Sequence, residues 1–233
     1  MRKLVAGNWK MNGRREDAAR WVAGMQAVPG ADILVCPPHT LLVEFARLLT
    51  GTGIAVGGQD CATTDSGAHT GDVSAAMLGD SGATAVILGH SERRTDHHET
   101  DALVLAKVIA AMTEGLLPIV CVGETGAERD AGHAHDVVAR QLAGSLPAGF
   151  QGVVAYEPIW AIGTGRVPSE QDVASMHGFI RAQLGQPGPR ILYGGSVKAE
   201  NARALMALPE VGGVLVGGAS LDAAGFQAIA ASV

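Results

Sequence analysis

Ala85-Val86-Ile87-Leu88-Gly89-His90-Ser91-Glu92-Arg93-Arg94 passes abruptly from four aliphatic residues to six small or polar ones. The aliphatic part is too short for an independent helix, and it is apolar throughout rather than alternating. It therefore reads as a strand with both faces buried. Similar short runs rich in β-branched residues recur at 4–6, 33–36, 54–56, 119–122, 153–156, 191–193 and 214–216, which with 85–88 makes eight. Amphipathic segments that read as helices separate them, at 15–27, 41–49, 75–81, 100–114, 134–143, 170–184, 200–206 and 223–230. Ser169-Glu170-Gln171-Asp172 has the form of a helix-starting capping box, and Gly115 and Gly185 stand where helix C-caps belong.

Strict β–α alternation implies parallel strands, because a parallel pair needs a crossover connection. Eight units in 233 residues average about 29 residues each, the size of a compact βα unit. The expected fold is a single (β/α)8 barrel of eight parallel strands filling residues 1–233. An open doubly wound sheet is the alternative, but its dinucleotide fingerprint is missing: Gly51-Thr52-Gly53 precedes a strand instead of following one.

With 47% hydrophobic and 17% charged residues, the chain is too apolar to be disordered. Its net charge of −6, with no basic cluster beyond pairs such as Arg93-Arg94, argues against a nucleic-acid footprint, so any anion site must be local. Cys36, Cys61 and Cys121 show no paired spacing and read as buried thiols of a reducing compartment. There is no signal-peptide pattern at the start and no run long enough to span a bilayer, so a cytoplasmic protein with no membrane partner is expected.

In such a barrel the active site lies at the C-terminal ends of the strands. The first strand leads into Asn8-Trp9-Lys10-Met11-Asn12, where period-two alternation puts Asn8 and Lys10 on one side. His90 follows the fourth strand and offers an acid, a base or a hydrogen-bond donor. Taken singly, a lysine at a strand end or a lone histidine is more often structural than functional. Glu157 follows the sixth strand directly, and partial desolvation there would raise its basicity, as proton abstraction beside a carbonyl requires. The apolar segment after it, bounded by Pro158 and by Gly163 and Gly165, fits a closing lid. Glycine pairs after the last two strands, Gly194-Gly195-Ser196 and Gly217-Gly218, let backbone N–H groups approach a phosphate.

Asn8-Trp9-Lys10-Met11-Asn12, Gly89-His90-Ser91-Glu92-Arg93-Arg94, Tyr156-Glu157-Pro158 through Gly165, Tyr193-Gly194-Gly195-Ser196-Val197 and Gly217-Gly218-Ala219-Ser220-Leu221 resemble the triosephosphate isomerase family, in register over essentially the whole chain. The resemblance implies interconversion of dihydroxyacetone phosphate and glyceraldehyde 3-phosphate, with Glu157 as base. It implies that His90 polarises the carbonyl and shuttles protons, while Lys10 and Asn8 stabilise the oxyanion and Glu92 orders the Lys10 and His90 side. Backbone near Gly163, Ser196, Gly217 and Gly218 would hold the phosphate. A small triose phosphate is then the ligand, a homodimer the assembly, and no cofactor or metal is called for.

Some positions depart from the family pattern. In the segment after strand 3, residues 65–72, His69 stands where Phe is common and Asp72 where Glu is common; the shorter carboxylate would weaken a contact to Arg93 across a dimer interface. Arg166 replaces the usual Lys at the end of the lid, and His97-His98 replace Phe-Gly. His97, His98, His133 and His135 lack ligand geometry, because adjacent side chains cannot readily share one metal. The rivals are another phosphate-binding barrel enzyme and a barrel that only binds.

Overall fold

A computed structural model describes residues 2–162 and 168–233. Eight strands close into a barrel in chain order, each parallel to its neighbours. They are β1 (Lys3–Asn8), β2 (Ala31–Cys36), β3 (Ile54–Gly58), β4 (Ala85–Leu88), β5 (Leu117–Val122), β6 (Val153–Tyr156), β7 (Arg190–Tyr193) and β8 (Gly213–Val216). The helices among the described residues are α1 (Arg15–Ala23), α2 (His39–Leu49), α3 (Ala75–Asp80), α4 (Ser91–Asp96), α5 (Asp101–Thr113), α6 (Gly126–Asp130), α7 (Ala134–Ser145), α8 (Glu170–Leu184), α9 (Ala199–Ala207) and α10 (Ala223–Ala230). None is long and apolar enough to cross a membrane. The open-sheet alternative is thereby excluded.

The pleat sorts the aliphatic side chains into two layers. Leu4, Ala6, Leu34, Cys36, Ile87, Ile119, Cys121, Leu192 and Leu215 fill the barrel interior. Their alternates, among them Val5, Val35, Leu88, Val120, Ile191 and Val214, pack outward beneath the helices. This is why the strands read as continuously apolar: both faces are buried. Under α1, α2 and α10 the outer layer is aromatic, with Trp21 and Phe45 rings 5.6 Å apart and Trp21 and Phe226 rings 5.8 Å apart.

Helix α8 starts at the predicted capping box, with Ser169 Oγ accepting from Asp172 N and Asp172 accepting from Ser169 N. Helix α1 ends at Ala23, four residues short of the expectation. The Gly24 N–H turns back to the Trp21 and Val22 carbonyls, and the chain unwinds to reach β2. Helices α4 and α6 were not expected, being short and polar.

The seam between β8 and β1 closes the barrel. There Gly213 pairs with Leu4 at φ +149°, and a Cβ on it would lie 1.9 Å from the Leu4 carbonyl oxygen. Only glycine fits. Gly213→Ala should cost at least about 3 kcal/mol and lower Tm by roughly 6–12 °C, whereas Gly79→Ala, whose Cβ meets nothing within 4 Å, should be neutral or stabilising. Equal melting temperatures for the two variants would contradict the seam argument.

His177 on α8 is fully buried, and burial pushes its pKa down to about 4 against the Glu210 carbonyl, which pulls it up. The unfolded chain, with an ordinary imidazole, then binds the proton first. Stability from this group is complete above about pH 6.5 and is lost as pH falls towards 4. His39 is shifted the same way and His90 the opposite way, so the difference between wild type and variant isolates His177. Melting curves of His177→Leu should fall less steeply than wild type over that window; parallel curves would rule the assignment out.

Candidate active site

At the end of β1, Asn8 is buried and its side-chain Oδ1 accepts from Lys10 N at 3.0 Å. Lys10 itself adopts φ +52°, a left-handed conformation that a non-glycine residue holds only when its surroundings impose it. Gln59 imposes it from the end of β3, donating to the Lys10 carbonyl at 3.0 Å and the Cys36 carbonyl at 2.9 Å. The lysine ammonium is thereby turned over the barrel mouth, where Glu92 Oε1 meets Nζ at 2.5 Å.

His90 caps the N-terminus of α4. Its Nδ1 accepts the Glu92 backbone N–H at 3.3 Å, so the ring proton sits on Nε2. That nitrogen lies 2.8 Å from Glu157 Oε1, and the other carboxylate oxygen accepts the Ser91 N–H at 3.0 Å. Both side chains are almost wholly buried. Burial alone would push the Glu157 carboxyl up, as the sequence suggests. It is outweighed by His90 beside it, by the bonds from His90 and Ser91, and by Lys10, so the net shift is downward. For His90, burial pulls down while Glu157 and Glu92 pull up, and the net is upward. The expected rise in Glu157 basicity is thus absent while its two donors are in place.

The chain beyond Glu157 is tethered. Glu157 N donates to the Val122 carbonyl at 2.8 Å and Ile159 N to the Glu124 carbonyl at 3.1 Å. The fully buried Glu124 carboxylate accepts from Trp160 Nε1 at 2.8 Å and Tyr156 OH at 3.1 Å. Arg129 stacks over the Trp160 ring at 4.5 Å and pairs with Asp172 at 2.6 Å. Gly163, Thr164, Gly165 and Arg166, the rest of the segment read as a lid, lie outside the described residues.

Asn8, Lys10, His90 and Glu157 line a cavity of about 320 Å³ together with Ser196, Gly217 and Gly218. A Cβ on Gly218 would meet nothing within 4 Å, and one on Gly217 would meet only Lys10 Cε at 3.7 Å. The space left at these glycines faces the cavity, which suits an anion approaching backbone N–H groups. Glu92 stands outside this cavity, on the Lys10 side, lining a second cleft of about 670 Å³ with Met11, His39, Gln59, Arg93 and His97. A groove of the same size at the opposite end of the barrel, beside Phe150 and Pro187, holds none of these groups.

Sequence reading missed Gln59, Glu124 and the Ser91 N–H. Gln59 and Glu124 each follow a strand, so the rule that found Glu157 could have found them. A backbone donor leaves no such mark. Arg93, expected to meet Asp72 across a dimer interface, pairs within the chain to Asp60 at 2.8 Å and Glu99 at 2.6 Å.

A sequence profile described as triosephosphate isomerase matches residues 3–233. The triosephosphate isomerase of Acidiphilium cryptum is 56% identical over 249 residues, covering all of this chain and 98% of that protein. That of Xanthobacter flavus is 58% identical over 243 residues, with the same coverage. The crystal structure of triosephosphate isomerase from Bartonella henselae superposes with a TM-score of 0.92 at 45% identity, covering 100% of this chain and 99% of that one. With that identity spread over its full length and the barrel in common, the chain belongs to the triosephosphate isomerase family.

Proposed function

We propose that the family's reaction, interconversion of dihydroxyacetone phosphate and D-glyceraldehyde 3-phosphate through an enediolate, runs here on Glu157, His90, Lys10 and Asn8. The observation that carries this assignment is the buried 2.8 Å pair of His90 Nε2 and Glu157 Oε1 lining the cavity. Glu157 removes a proton from the hydroxymethyl carbon, and the C–H electrons flow into the carbonyl to give the enediolate. His90 Nε2–H donates to that oxygen, takes the proton of the neighbouring hydroxyl, and so moves the negative charge from one oxygen to the other. Glu157 then returns its proton to the adjacent carbon. Substrate and product are isomers, so the reaction balances with no redox partner.

At rest both Glu157 oxygens accept hydrogen bonds, so substrate must take over the His90 bond. When it does, His90, the largest of the influences that hold the carboxyl down, is removed while burial remains, and the base strengthens. His90 loses the carboxylate that raised its proton affinity, and the Glu92 N–H still occupies Nδ1. The imidazole then stays neutral and donates from Nε2. Lys10 supplies positive charge to the oxyanion and phosphate, Asn8 adds a hydrogen bond, and Glu92 orders both Lys10 and His90. Backbone N–H groups at Gly163, Ser196, Gly217 and Gly218 hold the phosphate remote from the reacting carbons, where its binding energy can drive closure.

The whole chain, 1–233, acts in this reading as one barrel domain in the reducing cytoplasm, where its three buried free thiols are stable. It forms a homodimer. The fully exposed 65–72 segment, Met11 at 95% exposure and the cleft beside Lys10 support this, since a partner's loop entering there would bury all three surfaces.

Glyceraldehyde 3-phosphate isomerisation, coupled to reduction of the dihydroxyacetone phosphate formed, tests the residue roles. Glu157→Gln should keep its melting temperature and lose about 10²–10⁴-fold in kcat; wild-type turnover in that variant would remove Glu157 as the base. Sedimentation equilibrium should give twice the chain mass for wild type and a shift towards single chains for Met11→Arg. A wild-type monomer with full activity would refute the assembly.

A further inference from the structure

Strand β4 ends two residues before β5 does, since Leu88 pairs with Val120 while β5 runs on to Val122. Past that point Val122 and Glu124 turn their carbonyls to the β6 side, where Glu157 N and Ile159 N donate to them. Parallel strands bond their two neighbours with alternate residues. Cys121 and Gly123 therefore face the β4 side, where the chain has already turned away through Gly89 and His90 into α4. Buried backbone groups without partners are costly.

Two side chains fill the gap. Arg94, on α4, donates from Nε to the Gly89 carbonyl at 2.8 Å and from Nη2 to the Cys121 carbonyl at 3.3 Å, so one guanidinium spans the diverging strands. Its remaining contacts, Nη1 to Asp101 at 2.6 Å and Nη2 to Ser145 Oγ at 3.1 Å, fix it from behind. Gln141, buried on α7, accepts from Gly123 N at 2.7 Å and donates to the Gly123 carbonyl at 3.1 Å, as a neighbouring strand would.

Both substitutes bear on the catalytic pair. A Cβ at Gly123 would lie 1.7 Å from the Glu157 carbonyl oxygen, so the two backbones are in direct contact and one cannot shift without the other. On the other side, a Cβ at Gly194 would meet Glu157 Cγ at 3.0 Å. Burial, together with the Glu157 carboxylate, pushes the Cys121 thiol up, so the two groups feel each other across the end of β5. Arg94, meanwhile, ties down the helix whose first residues present His90 and the Ser91 N–H.

We propose that Arg94 and Gln141 are positioning residues that stand in for the missing end of β4 and so set the approach of His90 to Glu157. This rests on the reading of Glu157 as the base. The test is Gln141→Met, which keeps volume and loses both bonds, with Glu157→Gln measured beside it. The variant should fold and lose about 10–100-fold in kcat, the cost of a misplaced reacting group. KM and inhibition by inorganic phosphate, which reports the Gly217 side, should stay within about twofold of wild type. The His90 titration midpoint, followed by imidazole NMR, should fall, because its rise depends on the Glu157 contact. Wild-type kcat with an unmoved His90 midpoint overturns the proposal, as does an equal loss of kcat, phosphate affinity and thermal stability. Turnover retained by Glu157→Gln would instead sink the base reading, and the His90 midpoint would still decide the positioning. Should Gln141→Met not fold, Arg94→Lys, which keeps a charge on Asp101 but cannot bridge both carbonyls, is read by the same outcomes.

Discussion

The hydrogen bond from His90 Nε2 to Glu157 Oε1 is the constraint on which the rest of the site depends. The two residues follow β4 and β6, strands that are not neighbours, so they meet across the end of β5, which lies between them in the barrel. With both side chains buried, such a contact is much stronger than in solution, and an unpaired charge is correspondingly costly. That cost explains why each partner has a second anchor, the Glu92 N–H on His90 and the Ser91 N–H on Glu157. The site holds its base and its electrophile against each other until substrate separates them.

The barrel divides its sequence between two tasks. Strand interiors are aliphatic on both faces and carry the stability, while nearly every polar side chain of consequence comes after a strand's last residue. The ends are where conformational cost collects: Lys10 sits in the left-handed region, held by Asn8 and Gln59. The same ends lose their ladder partners, and side chains from the helices replace them. Support and chemistry are therefore interleaved residue by residue at the mouth.

Much of this was legible in the sequence. Strand positions followed from short apolar runs, and residues placed just beyond them gave Lys10, His90 and Glu157 their places in one cavity. The extent of α1 was read too long because Met25 and Ala27 continue its apolar spacing, which ends only where Gly24 bonds back to the preceding turn. Helices α4 and α6, of six and five residues, are too short to show a period. Gln141 left no sign, since a glutamine within an amphipathic helix looks like any solvated residue until the strand end it serves is known. The in-chain partners of Arg93 left no sign either: Asp60 and Glu99 come from separate parts of the chain, and nothing in their spacing announces the cluster.

The central claim is that the His90 proton sits on Nε2, facing Glu157, with Nδ1 occupied by the Glu92 N–H. Imidazole ¹⁵N–¹H NMR of the ligand-free protein tests it directly. The account predicts a protonated His90 Nε2, with a proton shifted downfield and protected from solvent exchange. A ring carrying its proton only on Nδ1, with Nε2 bare, would contradict it.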